Sequence, residues 1–449
     1  MSTTDSNPHG SSWYSATKVA SPPRGELTVE LDVDVCVIGG GLAGLTAARE
    51  VARLGWSVIV LEAQSVAWNA SGLNTGIVAP GFTASADVLT ARVGFDRAKE
   101  LWALSEAGMK YVRDAVRETA MPGVNLSEGG NLHVSKTDNS GAIESQADVL
   151  ADKFGAAVEV WPTERVREEL RSPRYFSALH YRHGFSIHPL NYALGLAAAA
   201  EAAGARIFEQ TPALEIDPDG VRKRVVTKHA RVRAAHVVLA GNLHLAELMP
   251  RLASTLLPTF SYAIVTAPLG DALREAIRYF GAVSDADLAG HHYRVVDGDR
   301  LMWSGRGTIW SGKPRRYADA LLGDIVRAYP QLSDVKADYA WSGTLGNTVH
   351  RMPQIGKISP GLWLLSGFGG HGLNTTAMGG ELVARAIVEG DSTWQMFSPF
   401  ELVWAGGILG NAAHQAHYQS SRTRERIGGW LARRREAKRQ RVTAPPAVP

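Results

Sequence analysis

The sequence predicts an α/β protein in which a Rossmann-like domain is interleaved with an α+β domain built on a mixed, mainly antiparallel sheet. Three observations carry this expectation. Residues 33–62 read as strand, helix and strand, a β-α-β unit of about thirty residues whose crossover implies a parallel sheet. Pieces of the same α/β kind return in two later blocks, and the stretches between them carry strand candidates with few helices. At 449 residues the chain is also too long for one simple core, so two domains are expected. The boundaries drawn from this pattern are a lead-in at 1–30, the dinucleotide-binding domain at 31–90, 176–254 and 341–400, and the second domain at 91–175 and 255–340. A C-terminal helical segment and basic tail occupy 401–449.

Each element has a local cause. "VDVCVI" at 33–38 is a short valine-rich run, the signature of a buried strand. "LAGLTAAREVARLG" follows with apolar residues at helical spacing and stops at Gly55. "WSVIVLE" is the second strand. Asp96 to Thr119 reads as a long amphipathic helix, and "NLHVS" as a strand after it. From Pro189, "PLNYALGLAAAAEAAGARIFEQ" predicts a helix and a strand, and "RAAHVVLAGN" a strand ending at Gly241. In the second region "FSYAIVTAP", "HHYRVV" and "RLMWSGR" are strand candidates, and "GLWLLSGFGG" supplies one more before the last helix of the first domain.

Composition is that of an ordinary globular protein, 45% hydrophobic and 20% charged. The single cysteine, Cys36, rules out a disulfide within the chain and a four-cysteine metal site, and lies in an apolar run where a buried small side chain is expected. The N-terminus has no basic start and apolar core of the secretory kind, and no apolar run approaches the ~18 residues of a spanning helix. A cytoplasmic location is expected. Between Arg422 and Arg441 nine cations face Glu425 and Glu436, a local net of +7, which leaves −4 for the remainder of a chain whose total is +3. The basic run "RRREAKRQR" is expected to be a solvated tail and not a nucleic-acid or membrane contact, and "TAPPAVP" beyond it to be disordered.

The chemistry begins at Gly39-Gly40-Gly41-Leu42-Ala43-Gly44, a G-x-G-x-x-G between the first strand and its helix. Gly39 makes the tight turn, Gly41 lets backbone reach a pyrophosphate, and Gly44 lets helix and strand pack closely. Leu42 and Ala43 open the helix whose N-terminus holds the pyrophosphate. Glu62 ends the next strand, 23 positions after Gly39, where a carboxylate accepts from ribose hydroxyls, with Ala63 beside it. The sheet is re-entered at Gly241 and at "SGFGGHGLNTTAMGG", six of whose fifteen residues are glycine. The final helix, starting near Asn374, can aim its positive end at a second part of one extended cofactor, and a reduced flavin carries negative charge at its N1–C2=O edge. FAD is therefore expected.

With these residues in view, the chain from about Ser12 to Gly428 resembles the D-amino-acid-oxidase-like family of FAD-dependent amine oxidoreductases, and within it the γ-glutamylputrescine oxidoreductase branch. The shared stretches are "SWYSAT", "AWNASGLNTG", "LPTFSYAIVTAPL", "WSGTLGNTVHRMPQIGKI" and "SGFGGHGLN". The resemblance implies a glutathione-reductase-like FAD domain with the flavin N5 facing a cavity under the second domain's sheet. It implies flavin or ribityl contacts from Ser71, Asn74 and Gly76, and from Gly369, Gly370, Gly372 and Leu373. Where the branch usually reads S-G-R-N-G-G, this chain has Leu73 and Thr75. Relatives that tether FAD use a cysteine near the C-terminal glycines or a histidine where this chain has Trp68-Asn69; FAD is expected to be non-covalent.

The implied reaction takes a hydride from the carbon beside an amine, and the imine then hydrolyses; O2 or another acceptor reoxidises the flavin. Relatives that oxidise amino acids grip the carboxylate with arginines at positions that align here with Leu345 and Gly370. Their absence implies an amine or polyamine derivative such as γ-glutamylputrescine, with Arg306 or Arg351 left to meet a distant carboxylate. His371 and Tyr262 are the catalytic candidates. His371 could hydrogen-bond the flavin or accept the amine proton, or be held by backbone. Trp303 and Trp341 are candidate aromatic walls, with core packing as their other role. His291-His292 shows no metal-ligand spacing, and no metal is expected. Two other readings stand beside this one: a D-amino-acid or secondary-amino-acid dehydrogenase or oxidase, echoed by "NTG" and "PG" at 74–81, and a redox subunit that works only with a partner docked on the basic tail.

Overall fold

The computed structural model describes residues 12–285 and 290–443, without the side chains of 306 and 440–443. The first eleven residues and most of "TAPPAVP" thus lie outside the described residues. Two sheets face one another across the middle of the molecule. In the first, the strands run in the order Gln354–Ser359, Leu362–Ser366, Arg231–Leu239, Leu31–Ile38, Val58–Leu61, Arg206–Phe208. Gln354–Ser359 pairs antiparallel with its neighbour, and the other pairs along that path are parallel. A parallel sheet is covered on both faces, which is why its strands are continuous runs of valine and leucine. One face packs on helices Leu42–Arg53, Phe95–Glu118, Pro189–Ala202 and Gly372–Val388. On the other face Cys36 is fully buried among Ile59, Val225 and Leu239, and burial pushes its thiol well up, so it behaves as a small hydrophobe.

The second sheet runs Ala337–Thr348, Leu256–Thr266, Arg300–Thr308, His292–Val296, Ala282–Ser284, Asn131–Val134, Ala178–Tyr181, Val158–Trp161. Only Ala282–Ser284 and Asn131–Val134 pair in parallel. Its outer face is covered by helix Pro314–Ala328, giving a separate apolar core that holds Trp303, Tyr293 and Tyr329. Two expected boundaries move. Strands Ala178–Tyr181 and Ala337–Thr348 belong to the second sheet, so the breaks at 175/176 and 340/341 fall too early. Helix Phe95–Glu118, placed at 91–175 in the second domain, packs on Gly372–Val388 in the first: Gly108 lies so close that a Cβ there would sit 2.1 Å from the Asn374 carbonyl oxygen. Amphipathicity says that a helix has a buried face, not which layer receives it.

Candidate active site

The dinucleotide turn is built by close contact. Gly39 has φ +116°, and a Cβ there would lie 2.8 Å from the backbone of Ala240 on the adjacent strand. A Cβ on Gly44 would lie 2.1 Å from the Gly39 carbonyl oxygen, so helix Leu42–Arg53 rests directly on the turn. Gly41 caps that helix in extended conformation without a side chain, and the Leu42 N–H donates to Ser71 Oγ at 3.1 Å. Glu62 accepts from the Gly40 N–H at 2.6 Å and from the Gln64 N–H at 2.8 Å. Burial raises its pKa, and those N–H donors oppose the shift. Ala63 is exposed beside it.

From this turn a cavity runs between the sheets. Its floor includes Gly41, Leu42, Ala43, Ser71, Leu73 and Asn74, and its far end Gly369, Gly370, Gly372 and Leu373. The N-termini of helices Leu42–Arg53 and Gly372–Val388 both open onto it, neither with a side-chain cap of its own. Two helix N-termini whose own cap residues leave them open, with glycine beside them, fit the pyrophosphate and the electron-rich edge of FAD. Asn74 lines the floor, but its amide donates to the carbonyls of Ala70 and Ser71 and its oxygen accepts from the Gly76 N–H, so the side chain folds its own loop. Gly76 is a packing glycine: a Cβ there would sit 2.0 Å from the Ile187 carbonyl oxygen. Gly241 stands behind the wall, where its neighbours Ala240 and Asn242 line the cavity.

The second sheet forms the roof, and here strand alternation corrects the expected residues. Ser261, Ala263, Ser304 and His292 line the cavity, so Tyr262 and Trp303 point to the opposite face. Tyr262 stacks on Tyr317 of the covering helix at 3.8 Å and its hydroxyl lies 3.2 Å from Thr308 Oγ1. Trp303 stacks on Tyr293 at 4.3 Å. Both are core residues. Tyr262→Phe is accordingly expected to leave amine turnover within about twofold of wild type while lowering stability by about 0.5–1.5 kcal/mol, the worth of one hydrogen bond. Steady-state rates beside a denaturant melt check this, and a loss of turnover without a loss of stability would restore the catalytic role. Trp341 does face the first domain, where it is buried and its indole N–H donates 2.9 Å to the Leu73 carbonyl; it braces the Ser71–Asn74 loop from above and does not line the cavity.

The histidine pair divides in the same way. His291 turns outward into a buried ion-pair network with Asp285 at 3.1 Å and Asp324 at 3.2 Å. His292 turns inward, its Nδ1 2.9 Å from Ser284 Oγ. Among the described residues no group of three or more His, Cys, Asp or Glu is placed to hold a metal ion. His371 lies between the lining glycines 370 and 372, with a buried Nδ1 that has no partner. Burial, then the nearby charges of His133 and His292, push its pKa down to about 4. It is a neutral imidazole at ordinary pH, suited to hydrogen bonding and poorly suited to taking a proton from an ammonium group. Arg351 is exposed beside His417, its guanidinium 3.3 Å away, and does not reach the cavity; the Arg306 side chain lies outside the described residues.

Several wall residues had no sequence signal. Thr259 and Asn347, which bond each other at 3.0 Å, line the cavity beside Leu345 and Gly370, the two positions that the sequence did single out. His414 and Tyr418 arrive from the C-terminal helix Gly407–Thr443. His414 Nε2 lies 3.1 Å from Thr259 Oγ1, and the Tyr418 hydroxyl accepts from the Gly307 N–H at 2.6 Å. Arg294, a buried cation on the roof, donates to the carbonyls of Thr75 and Ile187 at 2.9 and 2.8 Å and so ties the Asn74–Gly76 loop to the second sheet. Among the described residues, no lining side chain is an arginine, lysine or carboxylate.

Residues 34–386 match the model of the DAO family, described as FAD dependent oxidoreductase. The chain is 31% identical over 390 residues to the γ-glutamylputrescine oxidoreductase of Escherichia coli, covering 86% of this chain and 90% of that one. It is 29% identical to a probable oxidoreductase, OrdL, of Haemophilus influenzae, covering 85% and 89%. Among solved structures, glycine oxidase from Geobacillus kaustophilus superposes with TM-score 0.69 at 21% identity, covering 83% of this chain and 99% of that one. L-proline dehydrogenase from P. horikoshii superposes with TM-score 0.68 at 18% identity, covering 82% and 96%.

Proposed function

Since the chain belongs to the DAO family of FAD-dependent oxidoreductases, we propose that its substrate is an amine without a carboxylate at the reacting carbon, of which γ-glutamylputrescine is the model. The observation that carries this is the chemistry of the cavity wall. Leu345 and Gly370, the two positions where amino-acid-oxidising relatives present arginine, both open onto the cavity. Among the described residues no cation lines the cavity to meet a carboxylate brought there, which would lose its hydration at a cost of several kcal/mol. A methylene chain loses nothing in the same place and gains from burial.

When bound, FAD supplies the acceptor for the hydride leaving the carbon beside the amine. The chain's part is to hold and orient. Gly41 and the N-terminus of helix Leu42–Arg53 hold the pyrophosphate, and Glu62 the ribose hydroxyls, its carboxylate fixed by the Gly40 and Gln64 N–H groups. The N-terminus of helix Gly372–Val388, which opens onto the same cavity, would stabilise negative charge on the flavin's electron-rich edge. His371, kept neutral between the lining glycines 370 and 372 with its buried Nδ1 unpartnered, is the side chain we assign to accept a hydrogen bond from an amine N–H, so that the reacting nitrogen is bound without being charged. Non-covalent binding of the cofactor is part of this reading: the one thiol is buried inside the first sheet, and Trp68-Asn69 stand where tethering relatives have histidine.

The test is anaerobic mixing of the purified holoprotein with γ-glutamylputrescine, simple diamines and a set of D-amino acids, followed by flavin absorbance. Rapid bleaching by the polyamine derivatives and not by the amino acids is expected. Bleaching by D-amino acids alone would overturn the substrate class and turn attention to Arg306 as a carboxylate ligand.

A further inference from the structure

The C-terminal helix Gly407–Thr443 begins after the family match ends at residue 386, and only one side of it is used by the body of the protein. Tyr418, Gly429 and Ala432 are buried on that side, and Glu425 and Glu436 pair there with Lys136 and Arg167. With 3.6 residues per turn, Leu409, Ile427, Trp430 and Leu431 fall on the opposite side. These side chains are in water: Leu409 is 80% exposed, Ile427 55% and Trp430 53%, and just ahead Trp404 is 67% and Ile408 88% exposed. Exposed cations flank this stripe: Arg424 and Arg426 before Trp430, then Arg434, Arg435 and Lys438 after it. The Arg434 guanidinium lies over the Trp430 ring, 5.2 Å from its centroid.

We infer that this face of the helix lies on the surface of an anionic phospholipid membrane. The aliphatic side chains Ile408, Leu409 and Ile427 offer nothing to a polynucleotide, whose phosphates would be met by cations and polar groups alone. A second copy of the same helix would bring one +7 segment against another, which charge opposes. An anionic lipid surface answers both halves of the pattern, with acyl chains for Ile408, Leu409 and Ile427, an interfacial level for Trp404 and Trp430, and headgroup phosphates for the cations. The rest of the chain carries a net of −4 and is repelled from such a surface, so the helix alone makes the contact and orients the molecule. Among the described residues no helix is long and apolar enough to cross a membrane, so the helix lies along the surface and does not enter it.

Co-sedimentation of the full-length holoprotein with vesicles tests this, comparing phosphatidylcholine alone with phosphatidylcholine containing phosphatidylglycerol. At low salt the bound fraction is expected to be roughly tenfold higher on the anionic vesicles and to fall steeply as salt rises. Ile408→Ser, Leu409→Ser and Ile427→Ser together should abolish it, as should Arg434→Gln, Arg435→Gln and Lys438→Gln together; none of these side chains is buried, and an unchanged thermal melt verifies that both variants fold. Absence of binding to either vesicle, or equal binding to both at all salt concentrations, would overturn the inference. So would a dimer in sedimentation velocity that the serine variant dissociates, since the stripe would then belong to a second copy.

Discussion

Purified Gly44→Ala protein is expected to carry no visible flavin absorbance, although a single methyl group separates it from wild type. The added Cβ would stand 2.1 Å from the Gly39 carbonyl oxygen, 3.0 Å from Val37 Cγ1 and 3.3 Å from Ala240 Cβ. The first of these is backbone, so no rotamer change relieves it, and helix Leu42–Arg53 must lift away from the first strand. That movement withdraws the helix N-terminus and the Gly41 backbone from the pyrophosphate together. A loss of more than about 100-fold in FAD affinity follows from about 2.7 kcal/mol of lost contact, which overpacking of this severity readily exceeds. Gly55→Ala is the control. It sits at the other end of the same helix with φ +86° and open space around its Cβ position, so it costs only the strain of a left-handed alanine, about 1–2 kcal/mol, and should keep its flavin. Absorbance spectra and melts of both variants decide the matter. Full flavin content in Gly44→Ala would mean that the pyrophosphate is held elsewhere.

The contrast between these glycines shows what a sequence can and cannot convey. The turn at Gly39–Gly44 was legible because its requirements are local: strand, glycine spacing, helix and the acid at the next strand end all fall within thirty residues or so. The two-domain plan was legible through the β-α-β unit with its valine runs, the return of α/β pieces in later blocks, and the strand candidates with few helices between them. Which strand joins which sheet was not, since Ala178–Tyr181 and Ala337–Thr348 look locally like any other strand, and it is their pairing with Asn131–Val134 and Leu256–Thr266, well outside any local window, that assigns them to the second sheet. The cavity roof shows a finer failure. An aromatic residue on a strand was read as a wall, yet "FSYA" alternates, and the small members Ser261 and Ala263 take the cavity while Tyr262 takes the core. A site that must hold a planar ring and a substrate needs small residues and glycine where it touches them, so the conspicuous side chain was the wrong one to follow. The C-terminus hides a different feature. Its cations are largely exposed, as their charge suggests, while the inward spacing of Tyr418, Glu425, Gly429 and Ala432, which docks the helix and sends His414 and Tyr418 to the cavity, is hidden among them.

Trp341→Ala is expected to damage stability and cofactor binding at once, because this residue is where the second sheet holds the Ser71–Asn74 loop of the first domain. Its side chain is buried, its ring meets Tyr14 edge-on at 5.4 Å, and its N–H is the donor to the Leu73 carbonyl. Truncation removes a large buried ring, at about 3–5 kcal/mol, and leaves the Leu73 carbonyl without that partner, at about 1–3 kcal/mol more if water does not replace it. Leu73 stands between Ser71, which accepts from the start of the dinucleotide helix, and Asn74, which knits the loop to Gly76. Slackening at Leu73 therefore reaches the cavity floor on both sides. Trp341→Phe separates the two effects, since it keeps most of the ring packing and removes only the hydrogen bond. Its melt should lie near wild type, and its FAD dissociation constant should rise by a factor of about 5–10, the equivalent of roughly 1–1.4 kcal/mol. The comparison with Tyr262→Phe is decisive, because both residues are buried aromatics on neighbouring strands of one sheet and differ in the face they occupy. If Trp341→Phe binds FAD as tightly as wild type, the loop is held by Asn74 and by the Arg294 bond to the Thr75 carbonyl, and Trp341 is a core residue like the other two.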